Sequence, residues 1–188
     1  MYEAEIKLRI FPSETEIIES RLQNLQFSFI RNSNQTDCYF SSPYHDFASL
    51  DEVLRLRLTH SDDNSNQTAF LTYKGQKEMN FSVSRKEIET TVSNPKNLLE
   101  IFSHLGFDIS FKIFKKRCYY QKDDIFVSID YIEPIGFFVE IEKMLEDSDK
   151  LVETLTELYA LAQKLGIPKG RDETKSYLEL VFDTQTPN

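Results

Sequence analysis

Apolar and polar residues alternate along much of this chain. In residues 2–11, Tyr2, Ala4, Ile6, Leu8 and Ile10 fall on one face, and Glu3, Glu5, Lys7 and Arg9 on the other. A period of two is the signature of a strand with one buried face. The same period returns with Leu54, Leu56 and Leu58 against Arg55 and Arg57. It returns again with Ile125, Val127, Ile129 and Tyr131 against Ser128 and Asp130, and with Phe137, Val139 and Ile141 against Phe138, Glu140 and Glu142. Arg85, Glu87 and Glu89 share a face, as do Lys115 and Arg117, and Lys74 closes a strand on the side away from Leu71 and Tyr73.

Strands are therefore predicted at Tyr2–Phe11, Phe27–Phe40, Val53–His60, Thr68–Lys74, Ser84–Val92, Phe107–Gln121, Ile125–Ile132 and Phe137–Leu145, all rich in aromatic and β-branched residues. Helical spacing predicts Ser13–Gln26, Asn94–Leu105 and Asp149–Leu165, with a shorter helix at Glu173–Phe182. Ser13 with Glu16 reads as a capping box, and Gly166 then Pro168 stop the third helix. Ser41–Asp51, Ser61–Gln67 and Gly75–Ser82 read as loops. Short connections between neighbouring strands favour an antiparallel sheet, and hence an α+β fold. A single domain over residues 1–182 with a tail at 183–188 suits a chain of 188 residues.

Composition narrows the function. A net charge of −9 argues against a nucleic-acid polymer or an anionic membrane as partner. No apolar run is long enough to span a bilayer, and the charged start lacks a signal-peptide core, so a cytoplasmic protein is expected. Cys38 and Cys118 are far apart, and the three histidines are scattered, so neither residue type suggests a metal site. Five glycines form no phosphate-cradling loop.

The charged face is unusual in kind. Half-exposed antiparallel sheets commonly carry cross-strand ion pairs on the wet side. Here that side is almost entirely Glu, Asp, Arg and Lys, and the helices suffice to cover the other side. A sheet of eight such strands curled into a barrel would carry its helices outside and line a water-filled tunnel with both signs of charge. Buried charges persist when paired or liganded. A polyphosphate with its metal meets that need: Arg and Lys grip phosphate oxygens, and carboxylates hold a hard cation such as Mg²⁺ or Mn²⁺.

In these residues the chain resembles the CYTH, or triphosphate tunnel metalloenzyme, superfamily. Glu3-Ala-Glu5-Ile-Lys7 matches its ExExK signature. In order follow Leu54–Leu58, Thr72-Tyr73-Lys74-Gly75, Arg85–Glu89, Lys115-Lys116-Arg117, Ser128-Ile129-Asp130, Gly136–Glu142 and Lys175–Leu180. The family often has Gly-Leu-Gly before the last acidic strand, where this chain has Glu133-Pro134-Ile135-Gly136. The resemblance implies an eight-stranded antiparallel tunnel. It implies metal-site carboxylates at Glu3, Glu5, Glu140 and Glu142 with Asp130 beside them, and further tunnel acids at Glu87 and Glu89. It implies triphosphate ligands at Lys7, Arg55, Arg57, Lys74, Arg85, Lys115, Arg117 and Lys175, of which Lys7, Arg57, Lys74 and Arg117 are expected to be catalytic.

Asp37-Cys38-Tyr39-Phe40 and the loop to Arg55 are similar to the class IV adenylyl cyclase branch. The implied activity is conversion of ATP to cyclic AMP and pyrophosphate. Hydrolysis of inorganic triphosphate, thiamine triphosphate or a nucleoside triphosphate uses the same grip, and a non-catalytic polyphosphate or nucleotide binder is a third reading. A homodimer accords with base rates for soluble proteins.

Overall fold

The structure is a computed structural model that describes residues 2–61, 67–77 and 85–185. Its strands are β1 (Tyr2–Ile10), β2 (Ser28–Ser41), β3 (Val53–Ser61), β4 (Gln67–Lys77), β5 (Arg85–Thr91), β6 (Asp108–Lys122), β7 (Ile125–Ile132) and β8 (Gly136–Leu145). Its helices are α1 (Thr15–Asn24), α2 (Pro95–His104), α3 (Leu151–Lys164) and α4 (Tyr177–Gln185). The strands form one antiparallel sheet in the order β1-β8-β7-β6-β2-β3-β4-β5. The fold class is α+β, as the alternation predicts. β4 continues to Lys77, past the Gly75 at which a loop is expected, and residues 78–82 of that expected loop and 62–66 of the one expected at Ser61–Gln67 lie outside the described residues.

The chain divides into two compact units, residues 1–32 with 115–188, and residues 33–114. In the first, the apolar faces of β1, β7 and β8 pack against α1 and α3. Ala4, Ile6, Leu8 and Ile10 meet Val127, Val139 and Ile141 from the sheet, and Ile18, Leu22, Leu158 and Leu165 from the helices. Full burial of such side chains stabilises by about 1.5–3 kcal/mol each, and it holds the opposite, charged face in one orientation. β8 pairs with both β1 and β7, so its carboxylates stand between the charges of the two. The turn before it contains a cis Glu133–Pro134 bond and Gly136 at φ +101, and the register beyond runs without a break.

Two helix starts differ from the sequence expectation. Pro12 fixes a tight turn over Pro12–Glu14, and Glu14 Oε2 accepts from the Phe11 N–H at 2.7 Å, so α1 begins at Thr15 rather than at a Ser13 cap. Residues 171–173 do not start α4. They lie along β1 instead, with Arg9 N donating to Arg171 O at 2.9 Å and Glu173 N to Lys7 O at 2.8 Å. The capping box falls at Ser176 and Glu179: Ser176 N donates to Glu179 Oε2 at 2.6 Å, and Glu179 N to Ser176 Oγ at 3.2 Å.

The second unit packs α2 on the apolar face of its strands. Cys38, Phe40, Leu56 and Ala69 are buried, with Leu98, Leu99, Phe102 and Phe107 against them. The Asn94 side chain caps α2 by accepting from Asn97 N at 3.0 Å. No helix among the described residues is long and apolar enough to cross a membrane.

Candidate functional site

Cross-strand register decides which charges meet. In the first unit Glu5 stands opposite Glu142, which stands opposite Phe126. One step along, Lys7 faces Glu140 and Glu140 faces Ser128. Asp130 faces Arg117 on β6. Two different clusters result.

The first cluster is acidic. Glu3, Glu5 and Glu142 each offer a carboxylate oxygen, and these oxygens lie within 4.8 Å of one another. Crowding of like charge and burial act together on Glu142. Burial, with Glu5 and Glu140 nearby, pushes its carboxyl up to about 7 against the pull of Arg117 and Lys115. Three hard oxygen donors, one of which resists ionising, fit a divalent cation such as Mg²⁺ or Mn²⁺.

The second cluster binds its own cations. Arg117 donates from Nε to Asp130 Oδ1 at 2.5 Å, and its Nη2 donates to both Asp130 and Glu140. Lys115 Nζ lies 3.7 Å from Asp130 Oδ2, and Lys7 Nζ 3.8 Å from Glu140 Oε1. Burial disfavours a charged Glu140, yet Arg117, Lys7 and Lys115 hold it well below the usual carboxylate range. Arg117 remains charged for the matching reason: Asp130, Tyr119 and Glu140 outweigh its burial. Tyr177 closes this cluster from α4. Its hydroxyl donates to Asp130 Oδ2 at 2.9 Å, and its ring lies 4.6 Å from Lys7 Nζ and 5.3 Å from Lys115 Nζ.

The second unit pairs its charges on a face of its own. Asp37 takes Arg57 through two bonds of 2.7 Å, with Arg55 Nη1 at 3.7 Å. Arg55 Nη2 donates to Thr72 Oγ1 at 3.3 Å, and Thr72 donates onward to Glu89 Oε2 at 2.9 Å. Lys74 Nζ sits 2.8 Å from Glu87 Oε2. Against the cost of burial, Lys74 first, then Arg55 and Arg57, hold Glu87 below its ordinary value.

The expected metal carboxylates thus separate. Glu3, Glu5 and Glu142 come together, while Asp130 and Glu140 face cations. Lys7, Lys115 and Arg117 form one set, and Arg55, Arg57 and Lys74 sit with Glu87 and Glu89 in the other unit. The Lys175 side chain is exposed and its ammonium donates to Asp183 Oδ2 at 2.7 Å, while its backbone carbonyl oxygen accepts from Lys7 Nζ at 3.2 Å. Arg85 opens β5, but its side chain lies outside the described residues. Asp37, Thr72 and Tyr177 carry bonds that the sequence reading does not assign. For Asp37 the signal is its place across from Arg57 in register. For Tyr177 it is the position two residues beyond Lys175, on the same matched segment.

Comparison with known proteins follows this geometry. Residues 1–177 match the CYTH domain. A Methanocaldococcus jannaschii protein named "Putative adenylate cyclase MJ0240" is 38% identical over 180 residues, covering 96% of this chain and 98% of its own length. The structure of PH1819 from Pyrococcus horikoshii superposes with a TM-score of 0.84 at 29% identity, covering 97% of this chain and 99% of that one. HpAC1 from Hippeastrum, at 19% identity and a TM-score of 0.67, covers 100% of this chain and 97% of its own and shares the fold.

Proposed function

Because this chain belongs to the CYTH family, we propose that it is a metal-dependent enzyme acting on a triphosphate, and that its reaction is the cyclisation of ATP to cyclic AMP and pyrophosphate. One observation carries the metal-dependent part: Glu3, Glu5 and Glu142 converge within 4.8 Å, beside cations already paired with Asp130 and Glu140. A binder of phosphate alone needs the cations and gains nothing from three converging glutamates. The name of the M. jannaschii relative supports the cyclase reading.

Glu3, Glu5 and Glu142 would hold Mg²⁺ or Mn²⁺, which supplies Lewis-acid stabilisation of charge on the phosphate oxygens. Lys7, Lys115 and Arg117 bind phosphate oxygens, and Asp130, Glu140 and Tyr177 keep those cations in place before substrate arrives. Arg55, Arg57 and Lys74 are phosphate ligands by motif, oriented by Asp37, Thr72 and Glu87. Such preorganised charge stabilises a transition state because little rearrangement is left at the moment of reaction. In the cyclisation the ribose 3′-oxygen forms a bond to the α-phosphorus, the bond from that phosphorus to the bridging oxygen breaks, and pyrophosphate leaves. The hydroxyl proton passes to solvent.

A second reading has its own support. HpAC1 is described as revealing a dominant triphosphatase activity. In that reaction a water oxygen forms a bond to the terminal phosphorus, the bond from that phosphorus to the bridging oxygen breaks, orthophosphate and the shortened phosphate chain leave, the proton passes to solvent, and the same residues serve. The experiment is a substrate panel: ATP, inorganic triphosphate and thiamine triphosphate, each with Mg²⁺ and with Mn²⁺, products resolved by chromatography. Cyclic AMP with pyrophosphate is the expected result. Orthophosphate with no cyclic product would replace the cyclase reading by the hydrolase, and no metal-dependent product from any substrate would remove both.

A further inference from the structure

Arg31 on β2 faces the charged side of the first unit. Every other cation described there has a carboxylate: Lys7 has Glu140, Lys115 has Asp130, Arg117 has both, and Arg9 has Glu173. Among the described residues Arg31 makes no such ion pair, and its guanidinium instead lies 5.3 Å from the centre of the Tyr119 ring. Arg31 is exposed and Tyr119 half-buried, so the pair is reachable. The Tyr119 hydroxyl is engaged, accepting from Arg117 Nη1 at 3.1 Å, which fixes the plane of the ring.

Position along β6 adds the second half. Lys115, Arg117 and Tyr119 share a face at two-residue steps of about 6.6 Å. Two phosphate-gripping cations are thus followed by an aromatic ring with a planar guanidinium on it. A nucleotide has the same polarity, phosphates and then a flat heteroaromatic. Aromatic rings and guanidinium planes stack on any nucleobase, and they hold it without reading hydrogen-bond edges. Inorganic triphosphate has nothing to place there.

We infer that Arg31 and Tyr119 form a subsite for the nucleobase, which makes a nucleoside triphosphate, rather than inorganic triphosphate, the substrate class. This rests on the proposed triphosphate chemistry, and the two can fail separately. The test is titration calorimetry with Mg²⁺, using α,β-methylene-ATP as the nucleotide probe and bismethylene triphosphate as the phosphate-only probe. Wild-type protein is compared with Arg31→Ala, and with Arg31→Lys, which keeps the charge and loses the plane.

Arg31→Ala is expected to weaken the nucleotide probe about tenfold while the phosphate-only probe changes by less than about twofold. Arg31→Lys should fall between. Equal losses on both probes would make Arg31 a phosphate ligand and overturn the subsite. So would no loss on either, or a wild-type protein that binds only the phosphate probe. A wild-type protein that binds neither probe would overturn the triphosphate chemistry itself, and the subsite with it.

Discussion

The two units carry the same kinds of residue in different arrangement. On the second, Asp37, Glu87 and Glu89 stand with Arg55, Arg57 and Lys74, three acids to three bases joined by hydrogen bonds and ion pairs. On the first, among the described residues, Glu3, Glu5, Asp130, Glu140, Glu142 and Glu173 stand with Lys7, Arg9, Arg31, Lys115 and Arg117, and three of the acids, Glu3, Glu5 and Glu142, converge within 4.8 Å. A balanced set neutralises itself and is held in place by its own hydrogen bonds and ion pairs. Three carboxylates brought within 4.8 Å of one another on a half-buried face repel, and a divalent cation would relieve that repulsion. The convergence supports our proposal that Glu3, Glu5 and Glu142 would hold a divalent cation.

Breaking the balance should cost most where burial is deepest. Arg117→Ala leaves Asp130 and Glu140 buried with one guanidinium fewer, and should destabilise by about 3–5 kcal/mol. Arg57→Ala in the second unit removes a more exposed guanidinium and leaves the buried Asp37 with Arg55 still beside it, and should cost less, about 1.5–3 kcal/mol. Urea unfolding of both variants checks the order. A larger loss for Arg57→Ala would reverse the comparison.

The crowding at Glu142 should be visible as pH dependence. Glu142 is raised to about 7, so between the ordinary carboxylate range and pH 7 the folded protein keeps a proton that the unfolded chain releases. Its contribution is complete below the unfolded value and is lost as pH rises through about 7, up to about 3 kcal/mol. Metal-free protein should therefore lose thermal stability between pH 5 and pH 8, and Mn²⁺ at pH 8 should restore it. In Glu142→Gln the slope should flatten and the Mn²⁺ effect shrink. An equal slope in the variant would assign the titration elsewhere.

Smaller effects separate the two scaffolds. Tyr177→Phe removes one bond to the buried Asp130 carboxylate and should cost about 1.5–2 kcal/mol, whereas Thr72→Val, between Arg55 and Glu89, should cost about 1 kcal/mol. Denaturant midpoints measure both, and equal losses would erase the distinction between charged cores.

Much of this was legible in the alternation. It placed Glu3, Glu5 and Lys7 on one face of β1, and Glu140 and Glu142 on one face of β8, because burial of Ile6 and Ile141 leaves those side chains nowhere else to point. Period two assigns faces but not partners. Only register shows that Glu142 joins Glu5 while Asp130 joins Arg117. Tyr177 was harder still, since its bond to Asp130 crosses 47 residues and depends on residues 171–173 lying along β1. The same docked segment explains why α4 begins later than helical spacing suggests. It also carries Lys175 to Asp183 at the surface, a contact that the matched motif does not disclose.

The most direct test of the metal assignment is Mn²⁺ binding at pH 8, followed by the loss of the free-ion paramagnetic resonance signal. Wild-type protein should bind the ion, and Glu5→Gln and Glu142→Gln should each weaken it by about tenfold or more, with circular dichroism unchanged. Equal Mn²⁺ affinity in wild type and both variants would contradict the assignment of the cation to Glu3, Glu5 and Glu142.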